Sequence, residues 1–288
     1  MVFIYEKAYT HAGRFHADDV FSTAFLKILN PELKVQRVID LPEKIDYTDT
    51  IVYDIGRGRF DHHQPDSRVR DNGVPFAAFG LLWERFGMMI FNDKKLVRKF
   101  DETFIQGLDQ NDNTGEYHQL AAIIGNFNPL WNEEISENEQ FNKAVDFAKI
   151  ILERVFAKKL AVKEGIALIK KEYEKSDGEV IILDKYIPWK NGLLDTDAKF
   201  VIFPSNRGGY NSVSVPVSDT DNTPRIKFPE EWAGLEGDEL KKVSGMNGLH
   251  FCHRGRFMIH STDFETIKKA TYDTLEKFKN KWNIGLSE

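Results

Sequence analysis

Apolar positions fall into two alternating rhythms along the first half of the chain. From Asp18 onward Val20, Phe21, Ala24, Phe25, Ile28 and Leu29 recur at helical spacing, with Asp18 and Asp19 in the first turn. The residues before His11 are apolar and aromatic enough for a short strand, and Thr10-His11-Ala12-Gly13 reads as the turn leaving it. Residues 33–39 and 50–54 predict two more strands, joined by a turn or short helix over 42–47. Strands alternating with helical patterns imply βαβ units and a parallel sheet. After the turn Asp71-Asn72-Gly73-Val74-Pro75, residues 76–90 predict a buried helix. Another helix is expected from Lys94 to about Leu108, delivering Asp109 and Asp112 at its carboxyl end before residues 111–115 break it.

Residues 126–139 read as a loop, and a long amphipathic helix follows from about Glu139 to Lys175, suited to connecting two domains. Beyond Ser176-Asp177-Gly178 the pattern turns to short β-like runs at 179–183, 200–203, 211–215, 248–252 and 256–260, then a closing helix over 264–282. The expected class is α/β, with a parallel-sheet domain over 1–136, a linking helix over 137–177 and a smaller α/β domain over 178–288. A length of 288 residues suits two domains.

Composition narrows the function classes. Hydrophobic content of 41% and charged content of 29% describe an ordinary globular protein. A net charge of −6 without a dense Lys/Arg block argues against extensive duplex binding, while a short single strand or a small nucleotide could be held locally. The single cysteine, Cys252, excludes an intrachain disulfide and a Cys-rich zinc site. No signal-peptide pattern opens the sequence and no apolar run approaches ~20 residues, so a cytoplasmic, membrane-free protein is expected.

The chemistry gathers around Asp61-His62-His63, which follows another carboxylate, Asp54, at the end of a β-branched run. His11, His16, Asp18, Asp19, Asp109 and Asp112 supply donors of the same kind within the first 112 residues. Two divalent ions need about six donors, a bridging carboxylate and an open face. Asp54 is the natural bridge; His11 and His16 complete one ion, and Asp18, His62 and Asp112 the other. Mixed nitrogen and oxygen donors favour Mn²⁺, with Mg²⁺ or another first-row ion as the alternative. For Asp61 we expect an acceptor role toward an imidazole N–H rather than ligation, and for Asp19 a helix amino-terminal charge. In the second domain Arg207, Ser244, His253 and Arg254 fall at turns and strand ends where phosphate could be held, though core satisfaction competes for His253.

Four stretches in order carry a family resemblance: His11-Ala12-Gly13-Arg14-Phe15-His16-Ala17-Asp18-Asp19, Tyr53-Asp54-Ile55-Gly56, Phe60-Asp61-His62-His63-Gln64 and Leu108-Asp109-Gln110-Asn111-Asp112-Asn113. Together they resemble the successive motifs of the DHH phosphoesterase superfamily, and His16 in place of the usual Asp resembles its melanocyte-proliferating-gene (MYG-type) family. The similarity continues at Phe228–Leu235 and Val243–His253. The resemblance implies a DHH domain, a linking helix and a smaller domain, with two metal ions and substrate in the cleft. It also implies hydrolysis of phosphodiester or phosphoanhydride bonds, and for MYG-type relatives exonuclease action at an RNA 3′ end. Carried over, His62 binds metal and His63 faces the phosphate as acid or hydrogen-bond donor. The insertion in Asp112-Asn113-Thr114-Gly115, where relatives have Asp-Asn-Gly, leaves Asp109 as an alternative ligand.

The expected function is therefore a two-metal phosphoesterase, foremost an exonuclease on a single-stranded end. Hydrolysis of small dinucleotides or pyrophosphate is the alternative within the class. A non-catalytic scaffold stabilised by metal is the alternative outside it.

Overall fold

Buried and more exposed side chains alternate along β1 (Lys7–His11), as a strand with two covered faces of unequal depth requires. The computed structural model describes residues 3–285. In it β1 is the central strand of a parallel sheet, flanked by β2 (Lys34–Val38) and β3 (Thr50–Val52) in the order β2-β1-β3. Between the first two strands runs α1 (Ala17–Leu29), whose apolar side chains Val20, Phe21, Ala24 and Phe25 are fully buried. All three strands point their carboxyl ends the same way, so His11, Ile39 and Asp54 emerge along one edge. Ligand sites in parallel sheets collect along such an edge.

The region expected as one helix over 76–90 divides into α2 (Ala78–Phe86) and α3 (Met88–Phe91), separated at Gly87 and closed by Asn92 in the left-handed region. The next expected helix also differs. α4 (Lys94–Phe100) opens into a wider π-helical turn, Asp101–Ile105, and α5 (Gln106–Thr114) continues beyond the expected stop. Gly115, at φ +72°, ends it by donating its N–H to Asn111 O. Asp109 therefore stands inside α5, and Asp112 in its last turn. A short helix that the pattern did not suggest, α6 (Gln119–Gly125), follows.

α7 (Glu137–Lys175) is the long amphipathic helix. The chain divides into two compact units, one ending at Leu160 and the other beginning at Ala161, so the boundary falls inside this helix. In the first unit Phe141, Ala144, Val145, Ala148, Leu152 and Phe156 of α7 join the aromatic core around Phe21, Phe79 and Trp83.

The second unit contains β4 (Val180–Ile182), α8 (Lys190–Leu193), β5 (Phe200–Pro204), β6 (Tyr210–Ser214), α9 (Gly237–Ser244), β7 (Leu249–Cys252), β8 (Met258–Ser261) and α10 (Phe264–Gly285). Its sheet runs β4-β5-β6-β8-β7, with β4 and β5 parallel and the remaining pairs antiparallel. Both units thus combine strands and helices. No helix among the described residues is long and apolar enough to cross a membrane.

Candidate metal centre

Asp54 follows β3 with φ +58°, a conformation that costs an L-residue about 1–2 kcal/mol and that Asp tolerates better than most. The turn is held because Asp54 N–H donates to Phe60 O, 2.9 Å away. Its carboxylate lies between two imidazoles: Oδ2 is 3.3 Å from His11 Nε2, and Oδ1 is 3.2 Å from His62 Nε2. Around it the ligand-type atoms form three overlapping groups, His11-Asp19-Asp54, Asp18-His62-Asp112 and Asp54-His62-His63, each with atoms within 4.8 Å of one another.

The first turn of α1 orients two of these carboxylates. Asp19 Oδ1 accepts from His16 N–H at 2.9 Å, which closes the helix start and leaves Oδ2 3.1 Å from His11 Nε2. Asp19 thus combines the expected place in the helix start with a place beside His11, where its second oxygen is available to a cation. Asp18 accepts from Ala78 N–H and Phe79 N–H at 3.0 and 2.8 Å. The N-cap of α2 is Ala77, which has no side-chain acceptor, so a carboxylate sixty residues earlier performs the capping.

In α5 the two acidic residues have different surroundings. Asp112 Oδ2 is 3.2 Å from His62 Nε2. Asp109 instead accepts from Arg70 Nη2 at 2.7 Å and from Gly80 N–H at 3.2 Å, while the same guanidinium binds Asp101 at 2.6 Å. Burial pushes the Asp109 carboxyl up to about 7 against the pull of Arg70. Asp109 lies outside all three groups. His16 also lies outside them; its ring is largely exposed, with Nδ1 3.7 Å from Asp112 Oδ1.

The two adjacent histidines face different partners. His62 is buried, and its second nitrogen, Nδ1, is 3.2 Å from Asn113 Oδ1. Asn113 Nδ2 donates to Phe76 O and Asp109 O, so its Oδ1 is an acceptor and His62 Nδ1 must carry the hydrogen. That leaves Nε2 for the carboxylates or for a metal. His63 has a side chain 58% exposed, and its Nδ1 donates to Asp61 Oδ1 at 2.7 Å. Asp61 also accepts from the backbone N–H groups of Arg57, His62 and His63, which ties the whole turn to this one carboxylate.

Four carboxylates around two imidazoles make an excess of negative charge. Burial opposes protonation of His11, but its hydrogen bonds to Asp19 and Asp54 win and carry it up to about 11. The same balance, with Asp112 and Asp54 as acceptors, carries His62 up to about 11. Burial would raise Asp54, yet His11 and His62 hold it down to about 2. Burial, then repulsion from Asp54 and Asp112, pushes Asp18 well above the usual carboxylate range. Such a cluster attracts cations. Two ligands at right angles about 2.1 Å from one ion stand roughly 3 Å apart, so the observed N···O separations suit shared ligation as well as hydrogen bonding.

Asn113 and Arg70 are residues here whose roles the sequence does not announce, and nothing local signals the bond from Asn113 to a ring 51 positions earlier. Asn113→Ala is expected to weaken divalent-ion affinity by about 10–100-fold, because His62 loses the acceptor that fixes its tautomer. Calorimetric titration with Mn²⁺ checks this, and wild-type affinity in the variant would remove Asn113 from the site.

The four candidate substrate residues belong to the second unit and do not form one cluster. Strand register places the β5–β6 turn with Arg207 beside the Tyr210↔Ser261 pair, whereas the β7–β8 turn with His253 and Arg254 lies beside Ser214. Four residue steps, roughly 14 Å of strand, separate those ends. Ser244 ends α9 on the approach to Leu249, which pairs with Ser261, and so lies nearer the Arg207 end. His253 Nδ1 accepts from Gly255 N–H, and its ring packs on Phe257.

Comparison with known proteins adds a family to this geometry. The MYG1 protein of Chlamydia pneumoniae is 30% identical, covering 93% of this chain and 96% of its own. The Dictyostelium discoideum MYG1 protein is 29% identical, over 86% and 90%. The human protein named MYG1 exonuclease is 27% identical, over 86% and 80%. No solved structure matches. A family model labelled MYG1_exonuc and described as an uncharacterised protein family, UPF0160, spans residues 7–275, from the first strand through most of the last helix, and this chain belongs to that family.

Proposed function

We propose that the protein is a divalent-metal-dependent exonuclease of DHH type, cutting phosphodiester bonds at the 3′ end of a short single-stranded RNA. The observation that carries this reading is the Asp54 carboxylate, which turns one oxygen to His11 and the other to His62 and so joins the two donor groups. In this reading His11, Asp19 and Asp54 would hold one cation, Asp18, His62 and Asp112 would hold the second with Asp54 close to both groups, and His16 lies at the exposed side. Bound divalent ions supply Lewis-acid polarisation of the phosphate and an activated water. Asp61 fixes Nδ1 of His63 as a donor, leaving Nε2 of that exposed ring to serve an oxygen of the substrate. Asp18 and Asn113 keep the donors in place through their bonds to the α2 amino terminus and to His62. The exonuclease names of the human and rat relatives support the reaction type.

An open cavity of about 430 Å³ beside these residues argues against a closed structural metal site. With Mn²⁺ added, the purified protein is expected to release mononucleotides from a single-stranded RNA labelled at its 5′ end. Chelator abolishes release and returned metal restores it. Undiminished cleavage after complete metal removal sinks the metal-dependent reading, and internal cuts or digestion from the 5′ end sink the 3′-exonuclease reading.

A further inference from the structure

The rim of the cavity contains three residues that the proposed reaction does not use. Arg14 lies in the loop after β1, Ile39 directly after β2, and Arg57 in the turn after β3; all three line the cavity together with His11, His16 and His63. Because the strand order is β2-β1-β3, these residues form a row across the carboxyl edge of the sheet. Adjacent strands are about 4.8 Å apart, so the outer two loops start roughly 10 Å from one another.

Each of the three is unusual for its place. Ile39 is 84% exposed, an aliphatic side chain left bare beside a charged cluster. Arg14 and Arg57 are exposed, and among the described residues no carboxylate pairs with either guanidinium, although four carboxylates lie nearby. Arg57 also has φ +57°, next to Gly56 at φ +83°, and Asp61 holds its backbone N–H. A strained turn maintained by the carboxylate that also fixes His63 places that guanidinium at the rim.

We propose that Arg14 and Arg57 grip phosphates on the 5′ side of the one being cut, and that Ile39 supports a base, so that this rim selects a strand of several nucleotides over a single phosphodiester. Guanidinium is the side chain best matched to phosphate oxygens, and a bare aliphatic surface gains by covering a base face. The proposal rests on the phosphodiesterase reading and goes beyond it in naming what distinguishes an oligonucleotide from a small ester.

The test compares wild type with Arg14→Gln, Arg57→Gln and Ile39→Ser on a ten-nucleotide single-stranded RNA and on bis(p-nitrophenyl) phosphate, with Mn²⁺, over a series of KCl concentrations. Bound metal is measured in each protein. Loss of one phosphate contact on a single strand lowers the slope of log affinity against log salt by about 0.7, and each Arg variant is expected to show that drop in 1/KM for the RNA. Ile39→Ser raises KM for the RNA about threefold or more and keeps the wild-type slope. KM shifts of the same size for both substrates, or wild-type salt slopes in both Arg variants, overturn the rim assignment alone. If the wild type with Mn²⁺ hydrolyses neither substrate, the phosphodiesterase reading falls and the rim assignment falls with it.

Discussion

Asp54→Ala is expected to lower kcat for phosphodiester hydrolysis by about 10³-fold or more and to remove most bound metal. The reason is positional. Both oxygens of this one carboxylate are engaged, one toward His11 and one toward His62, so its loss separates two donor groups at once. Alanine also tolerates the left-handed backbone at position 54 less well than Asp, so in that variant the turn itself contributes to the loss. Asp54→Asn removes the charge while keeping the shape and the tolerance for positive φ. Both variants should lose metal and activity, with the Asn variant close to wild type in thermal unfolding. Metal analysis and steady-state kinetics on the same preparations decide the matter, and an active Asp54→Asn protein with full metal content refutes the bridging role.

A comparably large effect is expected from His63→Ala, by a different route. Its ring is mostly exposed and bound to Asp61, whereas the His62 ring is buried among Asp54, Asp112 and Asn113. The two rings lie side by side, centroids 4.3 Å apart, but only His62 is buried among the carboxylates, while the mostly exposed ring of His63 lines the cavity. His63→Ala should therefore keep its metal and lose about 10²–10³-fold in kcat, whereas His62→Ala should lose metal affinity first. Titrating Mn²⁺ into both variants separates them. Equal loss of affinity would falsify the division of labour between the two rings.

Several parts of this arrangement were legible in the chain as text. Strand-like runs ending in polar residues placed His11 and Asp54 at strand ends, and helical spacing after Asp18 placed two carboxylates in a first turn. Those inferences depend on neighbours within one or two turns, where periodicity carries the information. The long helix Glu137–Lys175 was legible for the same reason. The split of the helix expected over 76–90 and the continuation of α5 to Thr114 were not: Gly115 ends α5 through a positive φ that residue type alone leaves open, and at Gly87, whose own backbone is helical, the Trp83 side chain and carbonyl lie where a Cβ would stand.

The candidate centre shows the same division. Residue types and order announced oxygen and imidazole donors suited to divalent ions, and the motifs identified the family that the comparison then showed. Which of Asp109 and Asp112 meets His62 was decided by Arg70, 39 positions before Asp109, which occupies that carboxylate together with Gly80 N–H. Asp19 joined His11 because the α1 cap left one of its oxygens free to turn toward β1. By itself the sequence determined the kinds of atoms available and the local elements that bear them, since both follow from side-chain chemistry and short-range periodicity. Tertiary structure alone decided which atoms share a space, because contacts such as Asp18 with Ala78 and Phe79, or His62 with Asn113, join residues 51 to 61 positions apart. No local pattern records such a pairing; the packing of helices against the sheet creates it.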